Sequence, residues 1–119
     1  MDRKKVIAID FDGTIVHESY PEIGEAIEGA VESIRRIKEL GAEIVIWTCR
    51  TNEQLGDARH WLVSMGIPFD FINENTTTEL EHWGTDPRKV AADRYIDDRI
   101  IGGFPGWEKV MRHLEVYLS

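Results

Sequence analysis

The stretch Val6–Thr14, VIAIDFDGT, carries four consecutive apolar residues followed by two aspartates one position apart. A short continuous apolar run is typical of a strand that is buried on both faces, as in a parallel sheet. Asp10 and Asp12 occupy positions i and i+2, which point the same way in an extended chain. Gly13 permits a sharp turn directly after them. The stretch therefore predicts a buried strand whose end presents two carboxylates to one cleft.

Three later segments show the three- and four-residue apolar spacing of amphipathic helices. Gly41 follows the first of them as a C-terminal stop signal. Thr51 with Gln54 forms a capping-box pattern at the start of the second. The predicted helices cover residues 25–40, 51–65 and 107–118.

Short apolar runs between these helices predict further strands at residues 43–47, 69–72 and 94–97, with 100–101 as a short fifth. Residues 73–85 have no clear period and predict a loop, with Asp86-Pro87 opening a helical turn. Strand and helix alternate throughout, which predicts an α/β domain with a parallel sheet and helices on both faces. Ligands of such sheets bind at the carboxyl ends of the strands.

Length and composition favour one globular domain over residues 1–119. The apolar runs are far too short to span a membrane, and the N-terminal residues lack a signal-sequence pattern. Cys49 is the sole cysteine, so no internal disulfide forms, which agrees with an expected cytoplasmic location. The net charge of −8 disfavours nucleic acid and membrane partners. An anionic substrate remains possible, because a metal ion and a few local cations can reverse the field within a cleft.

Polar residues follow or precede the other predicted strands in a recognisable order. The chain resembles the haloacid dehalogenase superfamily, most of whose members are phosphatases. Asp10–Thr14 matches motif one of that family, Thr48 matches motif two, Lys89 matches motif three, and the pair Asp97-Asp98 matches motif four. The resemblance covers essentially the whole chain. It implies a three-layer Rossmann-like domain.

The resemblance also implies a magnesium-dependent phosphomonoester hydrolase. Asp10 is expected to attack phosphorus and form an aspartyl-phosphate. Asp12 is expected to be the general acid and base, a role that needs a raised pKa, which neighbouring carboxylates can supply. Thr48 is expected to hydrogen-bond the phosphoryl group, and Lys89 to hold its charge. Arg88 is a second candidate for the place of Lys89.

The implied Mg²⁺ ligands are the Asp10 carboxylate, the Asp12 backbone carbonyl and one acid of the pair Asp97-Asp98. We expect Asp98 to coordinate directly and Asp97 to support it from behind. Arg50 follows the second strand and has two interpretations. It contacts a substrate anion, or it forms a salt bridge to one of the paired acids.

Many relatives carry a cap domain after motif one or after the third strand, and neither position here has room for one. An open cleft is therefore expected, with a phosphorylated small molecule or a macromolecular phosphoester as substrate. A homo-oligomer could cover such a site. Two alternatives are a phosphotransferase or phosphomutase of the same superfamily and a receiver-like signalling module. A receiver accepts phosphate on an aspartate that ends the third strand, where this chain has Asn73.

Overall fold

Residues 3–119 are described by a computed structural model of the chain. Strands and helices alternate along these residues, as the sequence predicts. The strands are β1 (Val6–Asp10), β2 (Glu43–Trp47), β3 (Phe71–Ile72) and β4 (Arg94–Ile96). The helices are α1 (Ala30–Glu39), α2 (Asn52–Ser64), α3 (Thr77–Trp83) and α4 (Trp107–Tyr117).

The four strands form one parallel sheet in the order β3-β2-β1-β4. The steps from β1 to β2 and from β2 to β3 run in the same direction, whereas the step from β3 to β4 crosses back past β1. Right-handed crossovers then place α1 and α2 on one face of the sheet and the β3–β4 connection on the other. The chain therefore switches direction between β1 and β4, which is where parallel sheets open a crevice for ligands.

The core lies on both faces of β1. On one face, Ile7 and Ile9 are fully buried in a large cluster with Ile34 of α1, Leu62 of α2 and Leu114 of α4. On the other face, Val6 and Ala8 pack in a smaller cluster that includes Val45 of β2 and Val90 of the β3–β4 connection. The prediction of a three-layer α/β domain with a parallel sheet is confirmed. Within residues 3–119 there is no cap domain.

The first helix begins at Ala30 and not at Glu25 as predicted. The preceding residues satisfy their backbone groups by pairing with the segment after β1, through an antiparallel bridge between Val16 and Ala26. Gly29 then takes a left-handed conformation with φ of 86° and starts the helix. The helical spacing of apolar residues extends into the segment before Ala30, but that segment forms a β-bridge and not a helical turn.

Residues 73–85, predicted as a loop, contain α3 instead. The Thr76 side chain accepts a hydrogen bond from the Glu79 backbone N–H at 3.1 Å, which caps the helix. Its buried residue is Glu79, which is 3% exposed. An apolar period could not reveal this helix because the side chain on its inner face is charged.

Smaller predictions are also corrected. Within the described chain, residues 100–101 form no strand and Asp86-Pro87 opens no helical turn. β3 and β4 are shorter than the predicted runs at residues 69–72 and 94–97. Thr51 precedes α2 as predicted, yet its side chain makes no capping hydrogen bond.

Among residues 3–119, none of the helices has the length and apolar character needed to cross a membrane.

Candidate active site

A cleft of about 580 Å³ opens at the carboxyl edge of the sheet, beside the switch point between β1 and β4. Residues that follow β1, β2 and β4 line it, and charged side chains predominate among them. A second cavity of about 210 Å³ lies between β4 and α4 and is mainly apolar. Because the carboxylates from different strands meet in the first cleft, it is the candidate active site.

Three carboxylates meet in this cleft. Asp10, Asp97 and Asp98 each offer an oxygen atom, and these atoms lie within 4.8 Å of one another. The sheet register produces the cluster, because Ile9 of β1 pairs with Ile96 of β4 and both strands run the same way. The acids at the carboxyl ends of the two strands therefore lie side by side. All three side chains are half-buried.

The crowding of negative charge changes the chemistry of Asp10. Burial, a hydrogen bond shared with Asp98 and the charge of Asp97 together raise the pKa of Asp10 to about 8. A hydrogen bond from the Thr14 hydroxyl, at 3.1 Å, acts in the opposite direction. Without a cation, the cluster therefore holds a proton at neutral pH. A positive charge placed among these carboxylates would favour their ionised forms.

The turn after Asp10 is shaped to admit the Asp98 carboxylate. Gly13 has φ of +86°, and a Cβ placed there would lie 2.7 Å from Cγ of Asp98. Any side chain at Gly13 would therefore clash with Asp98. Thr14 is fully buried, and its carbonyl accepts a hydrogen bond from the Trp107 indole N–H at 2.9 Å. These contacts fix the turn and explain why the sequence places Gly and Thr after the aspartates.

Asp12 does not join the carboxylate cluster. Both of its oxygens accept hydrogen bonds from Arg50, through Nε and Nη2, at 2.7 Å each. Of the two interpretations of Arg50, a salt bridge to one of the paired acids is wrong, because the salt bridge is with Asp12. A contact between Arg50 and a substrate anion stays a prediction. Two parallel N–H···O hydrogen bonds make the Arg50–Asp12 salt bridge a bidentate ion pair, which is a strong and geometrically specific contact between an arginine and a carboxylate.

Arg50 also holds the segment that borders the cleft. Its side chain is 1% exposed and donates to the backbone carbonyls of Pro21 and Glu22 at 3.1 and 2.7 Å. The guanidinium lies over the rings of Phe11 and Tyr20, at 5.3 and 5.1 Å from their centroids. The hydrogen bonds from Arg50 to Asp12 raise the pKa of the guanidinium, so that Arg50 stays charged. Arg50 is therefore a buried link between Asp12 and the loop that contains Pro21 and Glu22.

Thr48 lies in the cleft wall, as predicted, and is held there by Asn73. The Asn73 side-chain oxygen Oδ1 accepts a hydrogen bond from the Thr48 backbone N–H, and Nδ2 donates to the Thr48 backbone carbonyl, both at 2.8 Å. Asn73 has φ of 55°, a conformation that asparagine tolerates better than most residues. In the sequence, Asn73 is recognisable only as the end of the predicted third strand. Its side chain, which both donates and accepts, was the available signal.

Lys89, the predicted phosphate cation, is not brought to the cleft. Its ammonium group lies 5.0 Å from the centroid of the Tyr95 ring, and the side chain is exposed. Arg88 does not line the cleft either. In the β3–β4 connection, the neighbouring residue Val90 is buried against Val6, Ala8 and Val45 on one face of the sheet. The cleft instead contains Arg99, which sequence reasoning did not select although it directly follows the paired acids.

Fold and site together define a parallel α/β domain with a carboxylate cluster at its switch point. No protein-family model and no curated protein matches the chain. A solved structure of a conserved protein from Bacteroides thetaiotaomicron is similar, with a TM-score of 0.85 and 37% sequence identity. The match covers 96% of this chain and 92% of that one. The two proteins belong to one family, and the description of the relative names no activity, substrate or cofactor.

Proposed function

We propose that this protein is a magnesium-dependent phosphomonoester hydrolase that acts through an aspartyl-phosphate on Asp10. The observation that carries this proposal is the cluster of Asp10, Asp97 and Asp98 in an open cleft, with carboxylate oxygens within 4.8 Å of one another. The resemblance of the motifs to the haloacid dehalogenase superfamily supports the same reaction. The similar solved structure supports the fold and gives no information on the reaction.

The residues present fit a divalent cation. Mg²⁺ prefers hard oxygen ligands, and three carboxylates converge in the cleft. The pKa of Asp10 is raised first by burial and then by its acidic neighbours. Negative charge is therefore crowded at this point, which favours binding of a cation. Asp10 and Asp98 would hold the ion, with the Asp12 backbone carbonyl as a further ligand and Asp97 in support. When bound, the ion would neutralise charge on the phosphoryl group.

Asp10 supplies the nucleophile in the proposed reaction. One of its carboxylate oxygens forms a bond to phosphorus while the bond from phosphorus to the leaving oxygen breaks. The Thr14 hydroxyl donates to Oδ2 at 3.1 Å, which orients the carboxylate. Water then attacks the phosphorus atom, the Asp10–phosphorus bond breaks, and inorganic phosphate leaves.

Asp12 moves the protons of both steps. It gives a proton to the leaving oxygen and later takes one from the attacking water. Each carboxylate oxygen has a second lone pair besides the one that Arg50 occupies. Arg50 can therefore fix the orientation of Asp12 while a proton moves on or off the carboxylate.

Thr48 is proposed to contact the transferring phosphoryl group. Its hydroxyl accepts a hydrogen bond from the Arg50 backbone N–H at 3.1 Å, which leaves the hydroxyl proton free to donate. The Asn73 side chain holds the Thr48 backbone through both its N–H and its carbonyl group. The receiver-like alternative has less support, because the residue after β3 is Asn73, which has no carboxylate to accept phosphate.

The direct test is phosphate release from an aryl phosphate with Mg²⁺ and with a chelator. A hydrolase releases phosphate over many turnovers only when the metal is present. A phosphotransferase or phosphomutase would instead need an acceptor or a sugar phosphate. A receiver-like module would retain phosphate after exposure to a small phosphodonor. Failure to release phosphate from a panel of aryl and alkyl esters would reject the hydrolase proposal. The size of the substrate and the covering of the open cleft by a second subunit stay predictions.

Magnesium affinity is expected to rise with pH up to about pH 8. The pKa of Asp10 is raised to about 8, so the metal-free fold keeps a proton that the metal must displace. The unfolded chain loses this proton near its ordinary pKa of 3.8, so the metal-free fold loses stability as pH rises from about 4 to 8. Affinity should increase by at most about tenfold per pH unit and then level off.

Calorimetric titration of Mg²⁺ at pH 6, 7 and 8 checks this, together with the melting temperature of the metal-free protein. Asp10→Asn is the control, because it removes the titrating group. An affinity that stays constant from pH 6 to pH 8 in the unaltered protein would contradict the shared-proton cluster.

The two paired acids are expected to differ in their effect on metal binding. One oxygen of Asp97 accepts the Arg99 backbone N–H at 3.0 Å, whereas Asp98 shares a hydrogen bond with Asp10 and sits over Gly13. Residues that support a ligand contribute about 10- to 100-fold in metal affinity, and a direct ligand more. Asp98→Ala should therefore weaken Mg²⁺ binding more than Asp97→Ala. The metal titration of both variants decides, and the reverse order would assign direct coordination to Asp97.

A further inference from the structure

The cleft contains two cationic side chains, Arg50 and Arg99. Arg50 is largely occupied by contacts within the protein. A guanidinium has five N–H donors, and Arg50 uses its Nε, Nη1 and Nη2 atoms in four hydrogen bonds to Asp12 and to two loop carbonyls. Its side chain is 1% exposed. Arg50 therefore neutralises Asp12 and has little capacity left for a second anion.

Arg99 has the opposite character. It directly follows Asp98, and its backbone N–H donates to Oδ1 of Asp97 at 3.0 Å, which fixes its position beside the cluster. Its side chain is exposed and lines the cleft. Within residues 3–119 the guanidinium makes no hydrogen bond or ion pair. It is a charged donor that is held at the site by its backbone and has no partner among the described residues.

The charge balance of the cleft requires such a donor. Once Arg50 is paired with Asp12, four acids remain in the lining: Asp10, Glu18, Asp97 and Asp98. A phosphate group that enters this field needs positive charge from the protein as well as from a metal. Arginine binds phosphate oxygens with two parallel N–H groups, which lysine does not.

We propose that Arg99 is the substrate phosphate-binding cation of this protein, in the place that sequence reasoning gave to Lys89. The proposal rests on the proposed phosphatase function and names a further binding residue for it. Arg99 holds phosphate oxygens in the ground state and the transition state alike, so its loss should act mainly on KM. Lys89, whose ammonium group lies over the Tyr95 ring, should make no such contribution.

The test compares Arg99→Ala with Lys89→Ala and with Arg112→Ala. Arg112 is an exposed arginine of α4 whose ion pair to Glu108 measures 4.0 Å. Two quantities are measured with Mg²⁺ present: KM and kcat for an aryl phosphate, and calorimetric binding of inorganic phosphate. Arg99→Ala should raise KM and weaken phosphate binding by about 10- to 100-fold, as for loss of a charged hydrogen bond. Arg99→Lys should recover part of the loss, and the two controls should change less than about twofold.

A loss in Lys89→Ala with little change in Arg99→Ala would overturn the proposal and restore Lys89. A fall in kcat for Arg99→Ala at constant KM and constant phosphate binding would also overturn it. The calorimetric measurement keeps the proposal separable from the proposed function. If the unaltered protein binds phosphate through Arg99 but releases none from esters, the hydrolase proposal fails and the binding residue stands.

Discussion

Asp10→Asn is expected to reduce phosphate release by about 10⁴-fold or more, the range found when a covalent nucleophile is removed. Asparagine has nearly the shape of aspartate, and its amide oxygen still accepts the Thr14 hydroxyl. It lacks the anionic oxygen that must bond to phosphorus. The measurement is steady-state phosphate release, joined to acid-quench mass spectrometry that looks for a phosphorylated peptide containing residue 10.

Asp57→Asn is the matched control, because it makes the same chemical change on an exposed position of α2. Its turnover should stay near that of the unaltered protein. Asp10→Asn also removes a proposed metal ligand, so its Mg²⁺ binding must be measured alongside. Turnover of Asp10→Asn within tenfold of the unaltered protein, or a phosphorylated peptide elsewhere in the chain, would remove Asp10 from the nucleophilic role.

Arg50→Met is expected to lower the free energy of unfolding by about 3–5 kcal/mol, the usual cost of removing one partner of a buried ion pair. Methionine fills part of the volume and offers no donors. The Asp12 carboxylate, 19% exposed, would then lose both of its charged contacts. The carbonyls of Pro21 and Glu22 would lose their donors as well. Urea denaturation measures the change.

Arg112→Met provides the control, since its exposed pair should contribute at most about 1 kcal/mol. Asp12→Asn tests the same contact from the other side. It should cost less stability than Arg50→Met while lowering turnover by about 10²- to 10⁴-fold. The double variant should be destabilised less than the two single changes added together. If Arg50→Met costs no more than the surface control, the Arg50–Asp12 pair does not stabilise the fold.

Local sequence patterns were sufficient for the fold and for part of the candidate site. β1 is buried on both faces because a run of four apolar residues has no polar face to expose, and this predicts a parallel sheet. Parallel strands bring their carboxyl ends to one edge, so Asp10, Thr48 and the pair Asp97-Asp98 were expected together, and they line one cleft.

Charged side chains were the main source of error, because their partners are distant in sequence. The helix α3 went undetected because its buried residue is Glu79, whose carboxylate meets Arg3 at 2.8 Å. A charge at that position conceals the period by which helices are recognised. Lys89 was placed by the order of motifs, although the path of the β3–β4 connection takes it to Tyr95.

The sequence by itself determined the layers of the fold, the edge of the sheet at which the polar residues collect, and the residue types that make phosphate chemistry a reasonable proposal. Only the tertiary structure decided how the charges pair. Asp12 and Arg50 are separated by 38 positions and form a bidentate contact at 2.7 Å, while Arg99 remains unpaired within the described residues. Periodicity reports which face of an element is buried. The partner of a charged side chain depends on distances between elements, and these are set only when the strands are in register and the helices are packed.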